Sequence, residues 1–383
     1  MPNFPKKLLK KLVAREQQNA LRRLSLKKDL IDFSSNDYLG FSRLTSIQET
    51  TDQQLKNFSY ANGAAGSRLL SGNHEIHEYL ESYLVKYFEQ EAALLFNSGY
   101  DANIGFFSSV PQRGDVILYD ELVHASIRDG IKMGNAKSYK FKHNNLSDLN
   151  SKIQAVLMDS IPNETDIYVV TESVFSMDGD SPNLKKMVEL CSKNKCLLVV
   201  DEAHALGVYR KGLLQDLNLH NKVFAQIITF GKAMGSHGAA ILGNQQVKSY
   251  LINFARSFIY TTALSPHSVA STLAAFYYLE SEHGKQKQLA LRKNIEDYKC
   301  LVREFGLQDI FLSSDSAIQI ALVSGNSMAR NMANSLSENG FDVRAILSPT
   351  VPSGNERLRI CLHSFNSKEE LQGLVSLLKE LHG

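Results

Sequence analysis

Seven short strand-like runs do most to limit what this chain can fold into: AALLF (92–96), DVILYD (115–120), SYKF (138–141), IYVVTE (167–172), CLLVV (196–200), QIITF (226–230) and AAILG (239–243). Stretches with helical spacing lie between them. LKKMVELCSKNK (184–195) is the clearest, and it leads directly into CLLVV. Parallel strands need long crossovers, which helices usually supply. Runs that are apolar throughout suit strands covered on both faces. The alternation therefore predicts βαβ units and an α/β fold with a mostly parallel, doubly covered sheet.

After Gly243 the pattern turns helical. Val247, Leu251, Phe254 and Phe258 recur at three- and four-residue spacing. SPHSVASTLAAFYYLESEHG (265–284) reads as a second helix, with Pro266 in its first turn and Gly284 past its end. The charged stretch 282–294 reads as a transition to a smaller C-terminal domain. That domain holds strand-like SAIQIALV (316–323), helical SMARNMANSLSENG (327–340), FDVRAIL (341–347), RLRICLH (357–363) and a last helix. Ser367 and Glu370 form a capping box ahead of the apolar face Leu371, Leu374, Val375, Leu378 and Leu381. The expected organisation is an N-terminal arm (1–45), a large α/β domain (46–283) and a small α+β domain (284–383).

A formal net charge of +2 gives no argument for nucleic acid as a partner. Lys7, Lys10, Lys11, Arg15, Arg22 and Arg23 make the N-terminus locally basic. Leu8, Leu9, Leu12 and Val13 run through it at amphipathic spacing, so it reads as a surface helix. The four cysteines match no metal-ligand spacing and suit a reduced compartment. No apolar run nears the ~18 residues of a membrane span. With no signal-peptide pattern either, the expectation is a cytoplasmic protein that uses neither membrane nor metal.

The chemical residues gather where strands end. Lys232 follows QIITF among Gly231, Ala233 and Gly235. That is where open α/β sheets bind ligands. Asp201 closes LLVV, and His204 lies three residues on. A carboxylate at the end of a buried strand needs a strong partner; an ion pair or a capping role would also supply one. Pyridoxal phosphate calls for this set: a lysine that bonds its aldehyde, a carboxylate at its ring nitrogen and backbone N–H groups for its phosphate. FNSGYDAN (96–103) offers the last, with Gly99 letting the backbone approach; an ordinary strand–helix turn would look the same. His124 in LVHAS could stack on a flat ring, and TESVFSMDGD (171–180) adds Glu172 and Ser176.

Together, SNDYLG (35–40), GAAGSRLLSGNHEIHEYLE (63–81), NSGYDAN, VHAS, TESVFSMDGD, VVDEAHALGV, TFGKAMGSHGAA and RLRI occur in the order found in the α-oxoamine synthases. The chain resembles that family from about residue 20 to its end. The resemblance implies a pyridoxal 5'-phosphate enzyme of the aspartate-aminotransferase fold. Gly238-Ala239-Ala240, SAIQ (316–319) and SPTVPSGNERLRI (348–360) resemble the members that join L-alanine to a pimeloyl thioester, carried by coenzyme A or acyl carrier protein. Sibling reactions with other amino acid and acyl pairs remain the alternative. An inactive partner subunit would have lost the lysine, which is present here.

Position by position, the resemblance implies the following roles. Lys232 bonds the cofactor and moves the substrate proton, and Asp201 pairs with the ring nitrogen. His204 hydrogen-bonds the ring oxygen and His124 stacks on the ring. Gly99, Tyr100 and Thr229 hold the phosphate or ring, with Ser176 nearby. Thr261 and Thr262 reach a phosphate across a homodimer interface. Arg359 clamps the amino acid carboxylate, and Asn36 lies near the reacting centre. Arg22 and Thr350 contact the acyl substrate. Two segments depart from the family pattern: Tyr209-Arg210 in the loop after DEAHALGV, and SPNL (181–184) after DGD.

Overall fold

The strand-like runs do become strands. The structure, a computed structural model, describes residues 4–22, 24, 29–58, 61–159 and 164–382; Arg23 of the basic run lies outside them. Strand β1 (Ile31–Asp32) comes first. It is followed by β2 (Ala92–Phe96), β3 (Val116–Asp120), β4 (Lys137–Phe141), β5 (Ile167–Glu172), β6 (Leu197–Asp201), β7 (Ala225–Thr229) and β8 (Ala239–Gly243). The chain ends with β9 (Ile318–Leu322), β10 (Phe341–Asp342), β11 (Arg344–Ile346) and β12 (Arg357–Cys361). Two units result: Asn36–Ser176 with Asp180–Leu289, and Met1–Ser35 with Met177–Gly179 and Ala290–Gly383.

The larger unit holds a seven-stranded sheet in the order β2-β8-β7-β6-β5-β3-β4. β8 alone runs against its neighbours β2 and β7. Side chains alternate across the sheet. Ile117, Val170, Val199 and Ile227 pack on one side with Phe106, Phe107 and Ile127. Leu118, Val169, Leu198 and Val200 pack on the other with Leu149, Ile153, Met187 and Val188. Covering both faces is what let these runs be apolar throughout. Because β5 and β6 are parallel and in register, Glu172 lies directly opposite Asp201. β7 continues the same edge, so the loop after Thr229 begins beside both carboxylates.

The smaller unit has an antiparallel sheet in the order β11-β12-β9 and a two-strand parallel pair, β1 with β10. Ser34 Oγ donates to Asp342 Oδ2 at 2.7 Å across 308 positions of sequence. The last helix, Lys368–His382, begins with the expected capping box: Glu370 N–H donates to Ser367 Oγ (3.2 Å) and Ser367 N–H to Glu370 Oε2 (2.9 Å). The helix Lys6–Gln17 buries no residue.

Three local expectations need correction. First, the helix read as far as Gly284 ends earlier: the charged stretch 282–294, within which the larger unit ends at Leu289, is the first half of a separate 23-residue helix, Glu282–Glu304. The preceding helix, Pro266–Glu280, stops at Ser281, whose hydroxyl donates to the Tyr278 carbonyl at 2.6 Å. Gly284 is needed for close packing rather than as a cap, since a Cβ there would lie 2.2 Å from that carbonyl. Second, Ala255 is extended and splits the helix after β8, so Phe258 is buried while Phe254 stays 55% exposed. Third, FDVRAIL forms two strands that join different sheets.

No helix among the described residues is long and apolar enough to cross a membrane.

Candidate active site

The C-terminal edge of the large sheet opens into a cavity of about 310 Å3. Its lining includes Asn36, Gly99, Tyr100, His124, Asp201, His204, Thr229 and Lys232, together with Asn103, Ser126, Glu172 and His237. Eight of the expected residues thus meet in one place. Ser176, Thr261 and Thr262 do not line it. Thr261 accepts from Asn97 Nδ2 at 3.1 Å and lines a separate, narrow cavity with Arg68 and His77. Arg22, Thr350 and Arg359 belong to the smaller unit. There Arg22 donates to Thr350 Oγ1 at 3.1 Å, and the two share a cavity of about 840 Å3. Arg359 is buried on β12 and donates to Cys361 Sγ at 3.0 Å.

Lys232 sits on a tight loop between β7 and β8. The Gly235 N–H donates to the Lys232 carbonyl (2.8 Å) and the Ser236 N–H to that of Phe230 (2.8 Å). Gly235 has φ of +60°, and a Cβ on it would lie 2.3 Å from Ser42 N. The Phe41-Ser42 backbone, directly after SNDYLG, therefore braces the lysine loop through close packing. SNDYLG itself reaches the site: Tyr38 Oη lies 2.8 Å from His204 Nδ1 and donates to Asn36 Oδ1 at 3.1 Å.

Asp201 is held from two directions. Asn103 Nδ2 donates to Oδ2 and Ala203 N–H to Oδ1, both at 2.9 Å. Asn103 Nδ2 also donates to Ser126 Oγ (3.0 Å), which lies 2.8 Å from His124 Nδ1. Asn103 thus ties the carboxylate to the histidine opposite. It is the functional residue that sequence reasoning missed. It lies four residues after Gly99 in the helix Gly99–Ser109, so both occupy one helix face.

The electrostatics are crowded. Burial, then the neighbouring Asp201, pushes the Glu172 carboxyl up to about 8, against the hydrogen bond it accepts from the His124 N–H at 2.5 Å. Burial also lowers the pKa of His124; Asp201 opposes this and Lys232 adds to it. The Ser126 N–H donates to His124 Nδ1 at 3.3 Å, which leaves that nitrogen as an acceptor.

Also lining the cavity, Ser98 caps the helix Gly99–Ser109 and accepts from Asp101 N–H at 3.0 Å. The free N–H groups of a helix start receive anions. A Cβ on Gly99 would come within 2.5 Å of Thr229 Cγ2, so this cradle admits only glycine without displacement. The donor set fits pyridoxal phosphate: an anion cradle, a buried carboxylate and a lysine line one cavity.

A profile of aminotransferase class I and II proteins matches residues 28–378. The chain belongs to the aminotransferase class I and II family. An 8-amino-7-oxononanoate synthase of Emericella nidulans is 37% identical over 95% of this chain and 92% of its own. One from Haemophilus ducreyi is 37% identical over 92% of this chain and 91% of its own. Among solved structures, the serine palmitoyltransferase of Sphingomonas wittichii has a TM-score of 0.88 at 26% identity, covering 99% of this chain and 98% of that one. The 8-amino-7-oxononanoate synthase of Francisella tularensis gives 0.76 at 27%, covering 92% and 98%. A serine palmitoyltransferase solved with pyridoxal phosphate gives 0.87 at 25%, covering 98% and 96%. Within the aminotransferase class I and II family, this chain has the aspartate-aminotransferase-like fold.

Proposed function

We propose that this protein is an 8-amino-7-oxononanoate synthase. It joins L-alanine to a pimeloyl thioester with loss of CO2 and release of the carrier thiol, on pyridoxal 5'-phosphate. What carries the reading is the meeting of Lys232, Asp201, His124 and His204 on one cavity, in a chain so similar along its length to synthases of that name.

When bound, pyridoxal phosphate supplies an aldehyde for a lysine and a ring that stores the electrons of a carbanion. The chain supplies the rest. Lys232 takes the alanine α-proton and later returns a proton to the same carbon. Proton transfer of this kind is worth ~10²–10⁴-fold. Asp201, oriented by Asn103 and the Ala203 N–H, offers a fixed negative charge to the protonated ring nitrogen. His124 covers one ring face, and His204 holds the ring oxygen. The backbone at Ser98, Gly99 and Tyr100 receives the phosphate, with Thr229 beside it. Arg359 pairs with the alanine carboxylate by a bidentate contact. Arg22 and Thr350 receive the acyl chain, Asn36 lies near the reacting carbon, and Ser176 supports the cofactor. Thr261 and Thr262 complete the neighbouring subunit's phosphate site in a cytoplasmic homodimer.

The higher TM-score of the serine palmitoyltransferase favours a second reading, serine with a long acyl thioester. Mass spectrometry of products separates the two. The panel is alanine, glycine and serine against pimeloyl-CoA, pimeloyl acyl carrier protein, acetyl-CoA and palmitoyl-CoA. Alanine with a pimeloyl thioester should exceed every other pair by at least ~10-fold, a margin one methyl group can supply. Equal or better turnover of glycine with acetyl-CoA, or of serine with palmitoyl-CoA, refutes the assignment.

A further inference from the structure

His143 lies outside the candidate site, in the segment after β4. Both of its ring nitrogens meet carboxylates: Nδ1 is 2.9 Å from Asp120 Oδ1 and Nε2 is 2.8 Å from Asp180 Oδ2. A neutral imidazole can donate through only one nitrogen. Two carboxylate partners therefore call for the doubly protonated ring. Burial opposes the charge, but the hydrogen bonds to Asp120 and Asp180 outweigh it and push the pKa up to about 10.

The two carboxylates belong to two different loops. Asp120 is fully buried at the end of β3 and starts the turn that carries His124. Its Oδ1 also accepts the Leu122 N–H at 2.9 Å, and its carbonyl accepts the Val123 N–H at 3.1 Å. Asp180 closes the segment after β5, and its carbonyl accepts the Phe175 N–H at 3.0 Å. The Phe175 ring stands edge-on to His143, centroids 4.5 Å apart. Asn144 repeats the bridge, donating N–H to Asp120 Oδ2 (2.8 Å) and Nδ2 to Asp180 Oδ2 (2.7 Å). Oδ1 of Asp180 is buried with no hydrogen-bond partner among the described residues, so this carboxylate depends on His143 and Asn144. Other charges lie near. Glu121 accepts the His143 N–H at 3.1 Å and pairs with Lys140, and Asp148 accepts the Lys142 N–H.

We propose that His143, clamped between Asp120 and Asp180, is a positioning residue that fixes the turn carrying His124 against the segment after β5, and so sets the attitude of the His124 ring in the cofactor cavity. The chain of contacts is continuous: His143 to Asp120, Asp120 to the turn, and the His124 N–H to Glu172 at the end of β5. Ring orientation then depends on a charge pair that never touches the cofactor.

The inference rests on the cofactor reading in one respect, that His124 faces pyridoxal phosphate. Its test uses His143→Gln and Asp180→Asn in the full chain. In wild type, nitrogen-15 NMR of labelled histidine should show both His143 N–H groups at pH 8 and titration near 10; in Asp180→Asn the titration should move to lower pH. In His143→Gln the His124 resonances should shift. The visible circular dichroism of bound pyridoxal phosphate should change, and kcat should fall about tenfold with substrate KM nearly constant, as expected for misplacement. A merely structural role would lower the melting temperature and leave the His124 resonances, dichroism and kcat of the folded protein unchanged; that result overturns the proposal. Wild type that takes up no pyridoxal phosphate refutes the proposed function, and the His124 resonances then decide the clamp alone.

Discussion

Replacing Gly99 by alanine tests the phosphate cradle with a single methyl group. The new Cβ would lie 2.5 Å from Thr229 Cγ2. Comfortable carbon contacts lie at about 3.5–4.0 Å, so roughly 1 Å must be recovered by movement. Thr229 cannot yield easily. It is 8% exposed, and its backbone is paired with Ala239 across β7 and β8. Overpacking of this kind costs about 1–3 kcal/mol. If the helix start moves away to relieve it, the N–H groups leave the phosphate. At 1.4 kcal/mol per factor of ten, affinity for pyridoxal phosphate falls by about 5–150-fold. Alanine is also a better helix former than glycine by up to about 1 kcal/mol, which offsets the strain in overall stability. Melting temperature is therefore a poor readout, and a spectrophotometric titration with pyridoxal phosphate is the right one. The clash has one partner atom, so it has a specific remedy. Thr229→Ser keeps the hydroxyl and deletes Cγ2. The double variant Gly99→Ala/Thr229→Ser should regain most of the lost affinity. Wild-type affinity in Gly99→Ala, or no recovery in the double variant, would show that the cradle does not bind phosphate through this approach.

Two further predictions concern buried charge. Glu172 has a folded pKa raised to about 8, so between its unfolded value near 4.5 and 8 the native state holds a proton that the unfolded chain has lost. Stability should therefore fall as pH rises through that window, and Glu172→Gln should flatten the fall when melting temperatures are compared from pH 5 to 9; parallel curves would refute the shift. Glu81 is 2% exposed and pairs with Arg68 (2.9 Å) and Lys248 (2.7 Å) while accepting the Leu95 N–H (3.0 Å). Glu81→Ala takes the carboxylate from Lys248 and leaves Arg68 with the Glu78 carboxylate, and should cost about 3–5 kcal/mol in urea unfolding; a loss under 1 kcal/mol would mean water replaces the carboxylate.

The large sheet was legible because its strands, the edge strand β4 apart, are buried on both faces and so read as nearly unbroken apolar runs. The residues at its edge were legible for the opposite reason, polar groups placed where such runs stop. Asn103 was hidden because it is a mid-helix amide, and nothing in its neighbours reveals that its face meets Asp201. The His143 clamp was hidden because its three members come from three separate segments, and no one of them alone carries a pattern in the sequence. The helix Pro266–Glu280 was read too far, to Gly284, because a glycine after a helical run usually marks its end; here the glycine belongs to the next helix, Glu282–Glu304, and lets it pass close to the end of the first.

The pairing of β1 with β10 has a consequence for how this protein is made. Ile31 leaves the ribosome long before Phe341 exists, and among the described residues no other strand is paired with β1. At 5–20 residues per second the wait is roughly 15–60 s. During that time Asn36–Ser176 and Asp180–Leu289 supply every strand of the seven-stranded sheet. The smaller unit can close only afterwards, when the carboxyl-terminal quarter of the chain arrives to meet a segment synthesised first. A nascent chain halted shortly after Leu289 should therefore resist protease across the large sheet and be cut readily before Asn36.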